Sequence, residues 1–354
     1  MSEPLRILVV GEDKPGWGPG VCREAFLSLG HRAELFNLGE VTFPMARSLF
    51  WRAVHKLSRT PVVVWINQAF REFMERRISW KPDLVLIFKG DTLLPETIRW
   101  LKQRTGAALF NWQTDDYFSP ALSSAHAIRS IGLYDCIFAH TRANVPELSA
   151  RGARRAEYLP HGADPALCRP IDLNRPEPYE TDLLFMGSWR RERQQMFEEL
   201  VSRGGETRLS IRGFQWKHLP LRSSLRPYTH FDGVPWDRYG ETIRRSKINL
   251  VFLVRFDTGR RVVPLRLFEI PAAGGFMLVE KGAGEAEEFY RPGEEMAYFQ
   301  DVGDLKDQTD YFLRHEEERR RIALAGQQRA IRGRYFYTDR MERMVQVYRE
   351  LRLG

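Results

Sequence analysis

Apolar positions along the chain fall into short continuous runs separated by stretches of helical period. "RILVV" (6 to 10) reads as a strand buried on both faces. The loop "GEDKPGWGPG" follows, then "VCREAFLSLG", whose apolar spacing is helical and ends at Gly30, and then a second strand, "AELFNL". This βαβ opening predicts a parallel sheet. "DLVLIFKG" (83 to 90), "AALFNWQ" (107 to 113) and "DCIFAH" (135 to 140) repeat the pattern. Five prolines in "AEYLPHGADPALCRPIDLNRPEPYE" (156 to 180) break it, and the expected domains are 1–170 and 171–354. The cycle then restarts with "TDLLFMGSW", the helix "RRERQQMFEELVSRG", the strand "RLSIRG", a helix near 236 to 246, and "INLVFLV". After these come the helix "PLRLFEIP", opened by Pro264 and stopped at Pro271, the strand "FMLVE", a small helix at 284 to 290, "MAYF" and the closing helices. The pattern predicts an α/β protein of two doubly wound domains facing across a cleft. The last helix is expected either within the second domain or packed back on the first.

Composition changes this picture little. The chain has 354 residues, 43% hydrophobic and 28% charged, enough for large cores and unlike a disordered segment. The net charge of +8 suits an anionic partner. Many arginines, however, alternate with glutamates in "HEEERRRIALAGQQRAIRGR" (315 to 334), the pattern of a solvated helix face, so no nucleic acid is expected. Cys22, Cys136 and Cys168 have neither disulfide nor metal spacing. The start "MSEPLRILVVGED" lacks a signal-peptide pattern and no apolar run reaches ~20 residues, so a cytoplasmic location is expected. "MARSLFWRAVHKLSR" (45 to 59) is a basic amphipathic stretch, read either as core packing or as peripheral contact with the inner face of a membrane.

Candidate chemistry collects where strands end. After the first strand, Gly16, Trp17 and Gly18 lie in a glycine-rich loop that matches neither the P-loop nor GxGxxG; it reads as a tight turn or as backbone approaching an anion or sugar. In the second half, Gly187 and Ser188 end a strand ahead of Arg190, Arg191 and Arg193, cations that oppose the helix dipole unless an anion joins them. Gly213 ends the next strand. With Pro264 at the first helical position, the N–H groups of Leu265, Arg266 and Leu267 would face a ligand. Glu269 would accept ribose hydroxyls, or else pair with Arg266 or the basic loop "RFDTGRR". Asp115 and Asp116 in "NWQTDDYF" are read as a DxD-like metal site, a general base for an inverting reaction, an acceptor-binding pair or a helix cap. His140 and His161 are read as hydrogen-bonded structural histidines or as catalysts.

The block "RLFEIPAAGGFMLVE…EEFYRPGEEMAYF" resembles the C-terminal signature of the CgeB-like (spore maturation) glycosyltransferases, within the GT-B superfamily of nucleotide-sugar enzymes. "DCIFAHTRANVPELSARG" with "AEYLPHGADPALCRP" is similar to the end of a GT-B N-terminal domain and its linker. "LLFMGSWRRER" resembles the phosphate-facing loop of the donor domain, and "RYFYTDRMERMVQVY" the closing helix. The resemblance implies GT-B architecture of two Rossmann-like domains, and transfer from a nucleotide diphosphate sugar to a glycan, lipid-linked or protein acceptor. It implies retention of configuration, no metal, and no cofactor besides the nucleotide sugar as co-substrate. It places Glu269 on the donor ribose, and Arg193 with the 265 to 267 backbone on the diphosphate. The wider retaining family carries a second glutamate eight residues earlier, where this chain has Arg261. A nucleotide-sugar epimerase and a non-catalytic assembly protein on the same fold are the alternatives.

Overall fold

The computed structural model describes residues 3–47, 60–77, 80–169, 178–204, 207–255, 257–282 and 285–353. The chain divides into two units; the first comprises Met1–His161, Phe256–Arg260 and Tyr337–Gly354, and the second Gly162–Arg255 and Arg261–Phe336. The proline-rich boundary expected at 170 and most of the basic stretch, 48–59, lie outside the described residues.

The first unit runs β1 (Arg6–Gly11), α1 (Pro19–Ser28), β2 (Arg32–Asn37), α2 (Leu38–Arg47), α3 (Thr60–Glu75), β3 (Leu84–Phe88), α4 (Pro95–Thr105), β4 (Ala108–Gln113), α5 (Ala125–Arg129), β5 (Cys136–Ala139), α6 (Asn144–Ala150) and β6 (Ala156–Tyr158). These strands form one parallel sheet in the order β2-β1-β3-β4-β5-β6. Both faces are covered, which is why the strands read as unbroken apolar runs instead of alternating ones. Ile7, Val9, Leu84 and Leu86 pack against Phe26 of α1, while Leu8, Val10, Val85 and Ile87 pack against Phe70 of α3 and Leu101 of α4.

In the second unit, β7 (Thr181–Met186), α7 (Arg191–Ser202), β8 (Leu209–Arg212), β9 (Thr229–His230), α8 (Trp236–Arg244) and β10 (Ser246–Val251) precede a short antiparallel pair, β11 (Val254–Arg255) and β12 (Arg261–Val262). Then come α9 (Arg266–Ala272), β13 (Met277–Glu280), α10 (Glu285–Phe289), β14 (Ala297–Phe299), α11 (Val302–Arg314) and α12 (Glu316–Arg332). The parallel sheet has the order β14-β13-β10-β7-β8-β9, the doubly wound arrangement in which strand order reverses between β7 and β10. The last helix, α13 (Tyr337–Leu353), belongs to the first unit, where Tyr337, Met341, Met344 and Tyr348 complete the core on the α1 face.

Two local expectations need correction. Leu265 caps α9 with helical dihedrals of its own (φ −52°, ψ −32°), so Pro264 stands before the helix and not at its first position. The helix also continues past Pro271 to Ala272, since a proline near the end of a short helix removes few hydrogen bonds.

Candidate functional site

Ligands of open α/β sheets bind beyond the carboxyl ends of the strands where their order reverses. In the second unit that place lies beyond β7 and β10. Gly187 leaves β7, and a Cβ on it would stand 2.7 Å from the Phe185 ring. A Cβ on Gly213, after β8, would stand 2.5 Å from the Gly187 carbonyl oxygen. The two turns therefore lie backbone against backbone, fixed further by the Trp216 indole N–H, which donates to Gly187 O at 3.0 Å.

Arg193, in the first turn of α7, curls back so that its guanidinium donates to Ser188 O at 2.9 Å and lies over the Phe185 and Phe252 rings at 5.3 and 5.7 Å. Among the described residues no carboxylate forms an ion pair with it. Burial, reinforced by Arg190, pushes Arg193 down to about 10. Arg190 is exposed and donates to the Arg255 carbonyl at 3.3 Å. Arg190, Arg193 and Arg255 line one pocket with Glu280. Glu280, buried at the end of β13, accepts the Leu253 N–H at 3.0 Å and pairs with Arg255.

Glu269 is 2% exposed. Its Oε2 accepts the Tyr239 hydroxyl at 2.8 Å and pairs with Arg266, whose Nε donates to Met186 O at 3.1 Å. A buried carboxylate requires such partners, so the pairing with Arg266, one of the two readings open at the sequence level, is present. Both contacts use one oxygen; among the described residues Oε1 accepts no hydrogen bond. Burial alone would lower Arg266, and the Glu269 carboxylate overcomes this and raises it. Burial pushes the Tyr239 phenol well above its usual range. Of the three N–H groups expected to face a ligand, that of Leu267 donates to Pro264 O at 3.0 Å, which leaves Leu265 and Arg266.

In the first unit, Asp115 pairs with Lys89. Asp116 is fully buried, accepting from Phe118 N–H at 3.1 Å, Asn144 Nδ2 at 2.8 Å, Arg260 at 2.9 Å and the Thr258 hydroxyl. Burial would raise its carboxyl, and these donors outweigh that and hold it below the usual range. A carboxylate so occupied anchors residues 257–260, which belong to this unit, and is poorly placed to take a substrate proton. His140 and His161 are buried with ring centroids 5.0 Å apart. Burial pushes His140 down to about 4 and His161 well below the imidazole range, so both are neutral. Gly16 and Gly18 have φ of 73° and 91°, and Trp17 sits edge-on to Phe88 at 5.3 Å. Asp13 accepts the Gly20 N–H at 2.9 Å with its carboxylate, so one of the N–H groups at the start of α1 is already taken.

Tyr239 and Glu280 were not among the residues expected from the sequence, and of these only Glu280, the one charged position in the run "FMLVE", carries a local signal. Arg255 and Arg260 belong to the basic loop offered as a partner for Glu269, and they pair with Glu280 and Asp116 instead. Among the described residues no group of His, Cys, Asp or Glu side chains is placed to hold a metal, and no helix is long and apolar enough to cross a membrane.

Residues 190–346 match a family model described as glycosyl transferase-like, a span that contains Arg193, Glu269 and Glu280. No curated protein sequence matches the chain. Among solved structures, sucrose-phosphate synthase from Thermosynechococcus elongatus superposes with a TM-score of 0.69 at 12% identity, covering 98% of this chain and 99% of that one. An α,α-trehalose-phosphate synthase (UDP-forming) from Burkholderia vietnamiensis gives 0.63 at 13%, covering 99% and 100%. Anabaena HepE, in complex with UDP and glucose, gives 0.61 at 13%, covering 98% and 100%. The fold is GT-B, built of two Rossmann-like domains.

Proposed function

We propose that the chain is a glycosyltransferase of the CgeB-like kind, which moves a sugar from a nucleotide diphosphate sugar to a hydroxyl of a glycan, lipid-linked or protein acceptor. The second unit binds the donor and the first the acceptor, in the cytoplasm or at the inner face of a membrane. The observation that carries this reading is the pair of unfilled valences at the exit of β7. Among the described residues Arg193 has no carboxylate partner, although burial weakens its hold on its proton, and Glu269 has one oxygen without a donor. A diphosphate satisfies the first and a ribose hydroxyl the second.

Arg193 and Arg190 stabilise the negative charge that grows on the leaving diphosphate, the task a metal performs elsewhere, so the reaction is metal-independent. Configuration at the sugar carbon is retained. The glycosyl transferase-like match across 190–346 supports the donor assignment, and the UDP in the HepE crystals makes uridine diphosphate the first nucleotide to try.

A thermal-shift panel of nucleotides and nucleotide sugars tests this, repeated on Glu269→Ala. A nucleoside diphosphate should raise the melting temperature of the wild type and leave the variant nearly unmoved. No shift with any nucleotide, or an equal shift in the variant, removes the donor site. Conversion of the donor's sugar in the absence of any acceptor would instead identify an epimerase.

A further inference from the structure

The first unit has its own reversal of strand order, between β1 and β3, and the loops beyond it carry chemistry that the donor site does not use. After β3 the backbone is forced. Lys89 has φ 62°, rare for a residue with a side chain, and Gly90 follows at φ 87°, where a Cβ would lie 3.0 Å from the Tyr134 hydroxyl. Such strain gathers at ligand sites. It turns Lys89 onto Asp115 and sets its ammonium 5.8 Å over the ring of Trp17, from the loop after β1. Asp91 comes next. Among the described residues its buried Oδ1 and the Nε2 of the fully buried Gln113 amide turned toward it each lack a partner at full hydrogen-bond geometry, though the amide lies close enough to favour the Asp91 carboxylate. The Thr114 hydroxyl, 4% exposed, is unpartnered as well.

The charge here opposes that of the whole molecule. Glu12, Asp13, Asp91 and Asp115 set four carboxylates against Lys14 and Lys89, in a chain of net charge +8. Asp13 already takes the Gly20 N–H at the start of α1 and places a carboxylate where a phosphate would otherwise sit. A phosphate would be repelled. A neutral molecule that both donates and accepts hydrogen bonds, with an apolar flank for an indole, matches every group present.

We propose that this edge binds a neutral sugar, with Trp17 against its C–H face and Asp91, Gln113 and Thr114 on its hydroxyls. Of the acceptors considered above, this selects the uncharged glycan over a phosphate-bearing headgroup. The sugar's role as acceptor rests on the transferase reading; its binding does not.

Calorimetric titration of the full chain tests it, with methyl α-glucoside, methyl α-mannoside, methyl β-galactoside and glucose 6-phosphate as probes. At least one neutral glycoside should saturate, at least tenfold more tightly than the phosphate ester, and Asp91→Asn should weaken it tenfold or more. Trp17→Ala, at a partly exposed position, should do the same and carries the test if the Asp91 variant does not fold. Absence of saturation by any neutral glycoside overturns the proposal, as does equal binding of the ester or undiminished binding by both variants. Glu269→Ala should abolish the nucleotide-induced melting shift while leaving glycoside binding intact, so the two readings fail separately.

Discussion

The Tyr239 hydroxyl donates to Glu269 Oε2 at 2.8 Å, on the oxygen that also pairs with Arg266, so the phenol and the guanidinium hold one side of the carboxylate and, among the described residues, nothing donates to the other. Glu269→Gln can still accept from Tyr239 but loses the ion pair, whereas Glu269→Ala loses both and leaves Arg266 and Tyr239 without their partner. Stability should fall by roughly 3–5 kcal/mol for alanine and less for glutamine, read by urea unfolding. Tyr239→Phe should cost about 1 kcal/mol and reduce nucleotide affinity far less than either.

Arg193→Ala should leave the fold nearly unchanged, since among the described residues the guanidinium makes no ion pair, yet weaken nucleoside diphosphate binding by roughly tenfold to a hundredfold, as expected for one lost charged hydrogen-bonding contact. A nucleoside should be unaffected. Calorimetry with the two ligands separates the outcomes, and equal weakening of both would show that Arg193 does not meet the phosphates.

The Asp116 hub predicts a local effect. Asp116→Ala removes the acceptor for Thr258 and Arg260 at once. Limited proteolysis should then cut within 257–260 at least several-fold faster than in the wild type, with a stability loss of roughly 3–5 kcal/mol.

Acid should expose two opposing titrations. Burial keeps His140 (about 4) and His161 neutral in the fold, whereas each binds a proton near 6.5 once unfolded. Below 6.5 the unfolded chain therefore binds more protons, and stability falls with falling pH by up to about 1.4 kcal/mol per unit for each. Asp91 acts oppositely. Burial raises it from 3.8 to about 6, with Asp115 adding to this and Lys89 and Gln113 opposing it, so between these values the folded chain binds the extra proton and stability falls as pH rises. Asp91→Asn should steepen the acid loss between pH 4 and 6 and raise stability at pH 7 by at most about 3 kcal/mol. Urea midpoints across pH 4.5 to 7.5 check both signs, with His140 facing Asp115, Asp116 and Lys89, and His161 facing His140, Lys89 and Arg340.

How much of this could be read from the chain varied with range. Strands buried on both faces announce themselves as apolar runs, so β1, β3, β4, β7 and β10 were legible together with the residues just after them, Gly187 and Arg193 among them. Glu269 was legible as an anomaly, a charge in an apolar helix. Its partner Tyr239 was not, because the two are 30 residues apart and nothing local marks a tyrosine on α8 as a donor to α9. Asp116 and Asp115 look alike in "QTDDYF", yet one is enclosed by four donors and the other pairs with a lysine after β3, a distinction made only by tertiary contacts. Asp91 follows a glycine like any turn aspartate, and only its burial sets it apart.

The return of α13 to the first unit has a consequence for how the chain acquires its structure. Met341, Met344 and Tyr348 fill a core otherwise built from residues before 162, so that core is still open when the second unit has been synthesised in full. Of the two units, the one that leaves the ribosome earlier is thus the later to close. Until this 17-residue helix arrives, an apolar face of α1 and its sheet stays exposed to chaperones and to other nascent chains.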